Sequence, residues 1–595
     1  MSIKNKLENL IKDALKKLEM NSPDGEVNFV VEHPEDFKNG DYSTNVALVY
    51  AKKLKMKPVD LAEKILAELY EDTDEKGIKG VENIEIAGAG FINFYLTREF
   101  FSDSIKDILH KNEDWGRNNL LEGKKVMVEY TQPNPFKPFH IGHLMSNAIG
   151  ESVSRIVEFS GAKTIRANYQ GDVGPHIAKA IYGIMKDPEY LEARPLSRGL
   201  ASKSASWIGE CYSKGSDLYD NDPEAKKEID VINKKVYDKS DEEINKVYDW
   251  GRKVTLEAFE ELYKILGTKF DYYFFESEMA PIGEKIVRAN VPNVFEESDP
   301  TPEQAQYGAR GAIIFRAEKY NPKLHTRVFL TSQGIPLYET KEIGLTMTKF
   351  EKENPDISIV DTAIEQGEYM KVVQQAIALM HPELEKKMLH ITHGMMRLAS
   401  GKMSSRKGNV VTGESLLRDS MDVVLEKIQD RDFTEEEKKK VSEVVGVSAL
   451  KYSILRSSVG SDIVYDFDKS ISFEGDSGPY LQYSAIRAKS ILAKAKSENL
   501  EAKPPKEVPE QISDLEKILY RFPEVVARSY EDLEPHNIAT YLTELSSSFN
   551  SFYANTQILN NEDKFSSYYL ALTKAFFITM QNGLWLLGIK LPERM

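Results

Sequence analysis

Apolar positions at three- and four-residue spacing open the chain, so residues 3–20 read as an amphipathic helix and residues 58–70 as a second one. Between them lies GDYSTNVALVYAKKL, and after them IEIAGAGFINFYL alternates apolar and polar side chains behind a Gly-rich start, which predicts a strand. Residues 1–115 are therefore expected to form a small α+β domain, closed by the polar, turn-rich stretch LHKNEDWGRNNLLEGKK. At Lys125 the pattern changes to a short apolar strand, VMVEY, then a loop with prolines at 133, 135 and 138, then a helix from near His140 to the stop at Ser160 and Gly161. Strand, loop and helix in that order open a nucleotide-binding α/β unit.

Residues 178–270 are rich in Lys and Glu with spaced Leu, Ile, Val and Tyr and read as a helical insertion. Strand-like stretches return at GARGAIIFRAE, TRVFLTSQGIPLYET and ISIVDT, so the α/β sheet is expected to resume there and to be complete before about residue 400. The predicted architecture is multidomain α/β: a Rossmann-type parallel-sheet core over residues 120–415, connecting helices over 416–465, and an all-α helix bundle over 466–595 interrupted at AKPPKEVPE. Repeats and low-complexity tracts are absent.

Composition narrows the function classes. With 41% hydrophobic and 29% charged residues the chain has the balance of a globular protein. Neither an apolar run long enough for a membrane span nor a signal-peptide core is present, so a cytoplasmic protein is expected. The single cysteine, Cys211, excludes intramolecular disulfides and zinc sites built on two or more thiolates. A net charge of −16 argues against a general polyanion binder, although it leaves room for a local basic surface.

Two segments carry candidate chemistry. The first, QPNPFKPFHIGH, follows a predicted strand and starts a helix. A helix N-terminus offers free N–H groups and a positive dipole to phosphate. His140 and His143, one turn apart, can donate hydrogen bonds to phosphoryl oxygens, and Gly142 lets a flat adenine approach the backbone. The second, GKMSSRKGNVV, places Lys402, Arg406 and Lys407 among small residues, the composition of a loop that closes over phosphates. On its own it reads more readily as a solvated basic loop.

The two segments in this order resemble the signatures of class I aminoacyl-tRNA synthetases. Longer strings narrow the likeness: GDYSTN, VEYTQPNPFKPFHIGHLMSNAIGE, RANYQGDVG, LYETKEIG, HGMMRLASGKMSSRKGNVV, SGPYLQYSAIRAKSIL and the terminal LLGIKLPERM are similar to arginyl-tRNA synthetases across nearly the whole chain. The resemblance implies a reaction in which L-arginine and ATP, with Mg2+ and without zinc, form arginyl-adenylate, and the arginyl group then passes to the 3′ end of tRNA(Arg). It also implies an N-terminal domain that binds the tRNA elbow, a C-terminal anticodon-binding bundle, and a monomer.

By the same resemblance, His140 and His143 hold the phosphates and Lys402 reaches the pyrophosphate, with Asn134, Gly142, His393, Met395, Ser404 and Lys407 completing the ATP site. The loop departs from the usual pattern because Ser405 stands where a second lysine is common; Lys137 is the expected substitute, with Arg406 and Lys407 as rivals. Arginine is expected to contact Glu129, Asn134, Tyr338, Glu342 and Gln366, since a planar guanidinium needs acceptors fixed in its plane. Position 342 is usually Asp, so the longer Glu342 is either a clamp set further back or a solvated helix carboxylate. His390 reads as an adenine-pocket residue or a satisfied core histidine, and Asp172 as a site residue or a helix cap.

For tRNA, Phe91 and Asn93 match positions that read a D-loop base, with ordinary strand packing as the alternative. Tyr480, Gln482, Tyr483 and Arg487 lie on the helix that supports the anticodon site in the family, where aromatics at helical spacing equally suit a core. Tyr483 and Arg487 are the candidate contacts. Basic residues are expected to concentrate on one tRNA-facing surface. The cysteinyl enzyme is excluded by its zinc, and the interval from His143 to Lys402 is too short for the editing insertion of the valyl, leucyl and isoleucyl enzymes. A catalytically dead tRNA-binding paralogue is the remaining alternative from another class.

Overall fold

A computed structural model describes residues 3–18, 29–71, 78–187, 201–299, 311–399, 412–500, 502, 507–560 and 562–595. The chain divides into two compact units: Met1–Trp115 with Arg487–Phe522 and Glu544–Thr579, and Gly116–Ile486 with Pro523–Thr543 and Met580–Met595.

The first unit contains strands β1 (Val31–Glu32), β2 (Tyr42–Thr44), β3 (Val81–Ala87) and β4 (Phe91–Leu96) in an antiparallel sheet of order β1-β2-β4-β3. Helices α1 (Ile3–Lys17), α2 (Val46–Leu54), α3 (Pro58–Glu71) and α4 (Arg98–Lys111) accompany it. The spacing of Leu7, Ile11 and Ala14 puts one face of α1 in a core with Val46, Leu61, Ile65, Ile92 and Phe94. The string GDYSTN is structural here. Gly40 takes φ +91° against the carbonyl of Phe94, where a Cβ would stand 2.7 Å from the oxygen, and Asp41 accepts the Leu96 N–H at 2.8 Å. Arg98 and Tyr568 both hydrogen-bond the buried Glu516 within this unit.

The second unit is built on a five-stranded parallel sheet of order β12-β11-β5-β6-β7, comprising β5 (Lys125–Glu129), β6 (Lys163–Gln170), β7 (Tyr272–Phe275), β11 (Ile357–Ala363) and β12 (Met388–His393). Helix α5 (Ile141–Phe159) links β5 to β6. Between β6 and β7 come α6 (Pro175–Lys186) and the inserted helices α7 (Ala201–Asn221), α8 (Pro223–Asp238) and α9 (Glu242–Leu266). Helices α10 (Glu276–Ala289) and α11 (Tyr338–Glu353) precede β11, and α12 (Gly367–Met380) joins β11 to β12. Strand β5 is buried from Val126 to Glu129, the mark of a strand covered on both faces. It pairs with β6 on one side and β11 on the other. That is the switch point where such sheets hold ligands beyond the carboxyl ends of their strands.

One expectation fails in detail. β9 (Ile313–Phe315) and β10 (Arg327–Leu330), from two of the three stretches expected to rejoin the parallel sheet, instead form an antiparallel sheet of order β10-β9-β8 with β8 (Glu296–Glu297). Its core of Phe295, Phe315 and Phe329 packs with Ile343 of α11 and Val373 of α12. Strand propensity is local, whereas the choice of partner depends on which apolar face is left to cover. Beyond β13 (Met396–Leu398) the regular elements among the described residues are helices, apart from β14 (Ile463–Tyr465), which pairs with β13. The helices are α13 (Gly413–Lys427), α14 (Glu435–Leu455), α15 (Phe467–Ser470), α16 (Gly478–Ser497), α17 (Asp514–Leu519), α18 (Phe522–Glu531), α19 (His536–Asn555) and α20 (Ser566–Leu586).

Candidate active site

The loop after β5 and the N-terminus of α5 frame a cavity of about 460 Å³ at the switch point. Thr131, Gln132, Asn134, His140, Gly142, His143 and Ser146 supply one wall. Tyr169, Gly171, Glu276, Tyr338, Thr362, Ala363, Gln366, Tyr369 and His393 supply the rest.

His140 caps α5 with extended backbone, and its N–H donates to Nδ1 of His143 at 3.2 Å. The two rings stack with centroids 3.4 Å apart. Burial first, and then Lys137 and His393, push the His140 imidazole down to about 4; burial and His140 hold His143 well below its ordinary value. Both rings are therefore neutral near pH 7, each with one N–H to donate. His393 ends β12, is 2% exposed, and is pushed down by burial.

The opposite wall is acidic and aromatic. Glu129, at the end of β5, is 1% exposed and ion-paired with the equally buried Lys349 of α11, and its other oxygen accepts from Gln132 Nε2 at 2.8 Å. Glu342 stands one turn after Tyr338 on the same helix and is buried. Burial and the Glu129 charge raise its carboxyl well above the carboxylate range. It lies behind the cavity lining rather than in it. Asn134 Oδ1 accepts the N–H of Gly171 at 3.1 Å, tying the loop to the GDVG turn. Lys341 pairs with Glu276 at 2.6 Å.

Residues 104–467 match the family described as tRNA synthetases class I (R), catalytic domain; residues 5–96 match the arginyl tRNA synthetase N terminal domain, and residues 481–595 the DALR anticodon binding domain. An arginine–tRNA ligase of Clostridium perfringens is 31% identical over 579 residues, covering 95% of this chain and 96% of its own. One of Fusobacterium nucleatum is 33% identical over 569 residues, covering 93% of each. The chain belongs to the arginyl-tRNA synthetase family. Two solved arginyl-tRNA synthetases share the fold: that of Thermus thermophilus, with TM-score 0.79, 23% identity and 100% of both chains covered, and that of Plasmodium falciparum, with TM-score 0.75, 21% identity and 100% and 99% covered. Family and relatives agree on one activity, arginine–tRNA ligation.

Within this synthetase, the residues expected from the sequence distribute unevenly. His140, Gly142, His143, Asn134, Tyr338, Gln366 and His393 share the cavity. Met395 is 42% exposed and outside the lining, its N–H bound to Asp462 at 2.8 Å. His390 is satisfied by the Thr362 hydroxyl at 2.8 Å. Asp172 neither lines the cavity nor caps α6. It is fully buried and accepts from Tyr248, Arg252 and both the N–H and hydroxyl of Ser277, which joins α9 to the start of α10. Lys137 lies over the Tyr212 ring at 5.2 Å and lines a second cavity of about 380 Å³ with Thr412 and Glu414. Lys402, Ser404, Arg406 and Lys407 lie outside the described residues.

In the first unit Phe91 is 39% exposed, whereas Asn93 is buried and its Oδ1 accepts from Ser43 at 2.7 Å. Tyr483 is 37% exposed, Gln482 is buried with Nε2 on the Lys590 carbonyl at 2.6 Å, and Arg487 donates to Asn550. Lys349, Gln132, Tyr169 and Glu276 were not foreseen. For Lys349 a signal existed, since it follows Glu342 by two helical turns and so shares its buried face.

Among the described residues no helix is long and apolar enough to cross a membrane. No group of three His, Cys, Asp or Glu among them could hold a metal ion.

Proposed function

We propose that this cavity forms arginyl-adenylate and passes the arginyl group to tRNA(Arg). The observation that carries the reading is the stacked pair of neutral imidazoles at the N-terminus of α5, facing the Tyr338 and Gln366 wall across the switch point. Arginine's carboxylate attacks the α-phosphorus of ATP in line with the departing pyrophosphate, so catalysis rests on positioning and on donors aimed at developing charge. His140, His143 and the backbone N–H groups of Ile141 and Gly142, at the start of α5, supply those donors. Gly142 and His393 border the adenosine. Asn134 and Gln366 take the α-amino end of arginine, and its guanidinium runs toward Tyr338, with Glu129 and Glu342 buried behind that wall. Mg2+ enters with ATP; we assign it no protein ligand.

Lys402, Ser404 and Lys407 close over the triphosphate from the signature loop. Lys137 supplies the charge of the missing second loop lysine, a reading supported by its sharing a cavity with Thr412 and Glu414 just past that loop. The 1–115 domain binds the tRNA elbow through Phe91, and the 466–595 bundle binds the anticodon arm with Tyr483 and Arg487 at hand. Asn93 acts through Ser43 by holding β2 to β4. The protein works as a cytoplasmic monomer.

The test is arginine-dependent ATP–pyrophosphate exchange with tRNA present. His143→Ala lowers kcat/KM by about 10²–10³-fold, the loss typical of one preorganised donor. Undiminished exchange, or exchange driven by another amino acid, overturns the reading.

A further inference from the structure

The loop that carries Thr131, Gln132 and Asn134 into the cavity has an unusual backbone. Thr131 has φ +76°, Gln132 φ +50° and Phe136 φ +65°, three non-glycine residues in the left-handed region within six positions. For a β-branched residue such as Thr131 this conformation is a genuine outlier and persists only where surrounding groups over-determine it.

The groups that do so come from α5 and from the end of the insertion. Ser146 Oγ accepts the Thr131 N–H at 2.9 Å. Asn147 Nδ2 donates to the Thr131 hydroxyl at 3.0 Å, and Asn147 Oδ1 in turn accepts from the Thr268 hydroxyl at 3.0 Å. Asn147 is 0% exposed and stands behind the cavity wall, so it touches no substrate. Its two bonds use one donor and one acceptor of its amide and fix its orientation between Thr268, just past α9, and the loop.

We propose that Asn147 is a positioning residue for arginine activation: it clamps Thr131 in its left-handed conformation and thereby sets where Gln132 and Asn134 meet the substrate. The inference rests on the assignment of this cavity to arginine activation. A polar amide buried in α5 is otherwise costly, and the bond it donates goes to the strained residue itself. Released from the clamp, Thr131 relaxes to negative φ, and Asn134 leaves its contact with Gly171.

A double-mutant cycle separates this from a packing role. Arginine-dependent, tRNA-supported ATP–pyrophosphate exchange is measured with kcat and the arginine KM resolved. Asn147→Ala lowers kcat/KM for arginine about tenfold, the factor carried by one hydrogen bond of ordinary strength. Glycine adopts φ +76° without strain and has no hydroxyl to clamp. In the Thr131→Gly background, Asn147→Ala therefore leaves kcat/KM unchanged. Equal losses in both backgrounds, or no loss in the parent, overturn the proposal. Should Asn147→Ala not fold, Thr268→Val removes the far anchor of the same amide and carries the same pair of expectations. An Asn134→Ala variant with full activity beside an impaired, coupled Asn147→Ala would uphold the clamp and instead refute the assignment of Asn134.

Discussion

Replacing Lys349 by Met tests the charge arrangement under the arginine wall. Met keeps the length of the stem and removes the ammonium. In the native protein the Lys349 and Glu129 side chains are 2% and 1% exposed, so neither is solvated well enough to stand alone. Removing one partner of a pair buried this deeply costs about 3–5 kcal/mol, because the other charge is left uncompensated. Glu342, already raised by burial and by Glu129, makes the site worse: two carboxyls then share it without a cation. The variant answers by taking up a proton on folding. Its folded state binds more protons than its unfolded chain above the ordinary carboxylate range, so its stability falls as pH rises, by up to about 1.4 kcal/mol per pH unit for one proton.

Urea unfolding followed by tryptophan fluorescence is a suitable assay, since Trp207, Trp250 and Trp585 all belong to the second unit. The deficit against the parent should be about 3–5 kcal/mol at pH 8 and clearly smaller at pH 5.5. A deficit below about 1 kcal/mol at pH 8, the range of a solvent-exposed pair, would refute the reasoning. So would a deficit that does not change with pH.

Two further expectations follow from the same wall and from the helix behind it. Arginine's guanidinium stays charged at every working pH, so the proposed role of Glu342 as its partner requires that carboxyl ionised, whereas burial and Glu129 hold it protonated above its usual range in the free site. Arginine binding should therefore strengthen between pH 6 and pH 9 with release of a proton, and Glu342→Gln should flatten the dependence; KM for arginine across pH reads this, and parallel curves for the two proteins would contradict it. On α5, a Cβ at Gly150 would stand 2.2 Å from Cβ and Cγ of Tyr130, which is held in turn by Glu151. Gly150→Ala should cost at least about 1–3 kcal/mol by overpacking, seen as a lower melting midpoint, and an unchanged midpoint would show that Tyr130 moves aside freely.

Much of the catalytic frame is legible along the chain because it is local. The apolar run VMVEY, the prolines that follow and the helix opening at His140 each follow from short-range periodicity and from the chemistry of a helix N-terminus, and all three stand where expected. The same locality explains what misled. Ile313–Phe315 and Arg327–Leu330 are strands, as their composition suggests, but a strand's side-chain pattern does not name its sheet.

Other roles emerged only from packing. GDYSTN is legible as a string, yet that Gly40 and Asp41 secure β4 depends on a partner far along the chain. Lys349 reads as one more helix lysine until α11 lays it on Glu129. Thr131 and Gln132 carry no signal at all for left-handed backbone, since neither is glycine; Ser146 and Asn147 hold Thr131 there by bonds that close only after α5 has folded against the sheet. Sequence by itself determined which elements form and which residue types reach the switch point. The tertiary structure decided their partners, their charge states and their strain, because burial and hydrogen bonding act across space between segments that no local pattern connects.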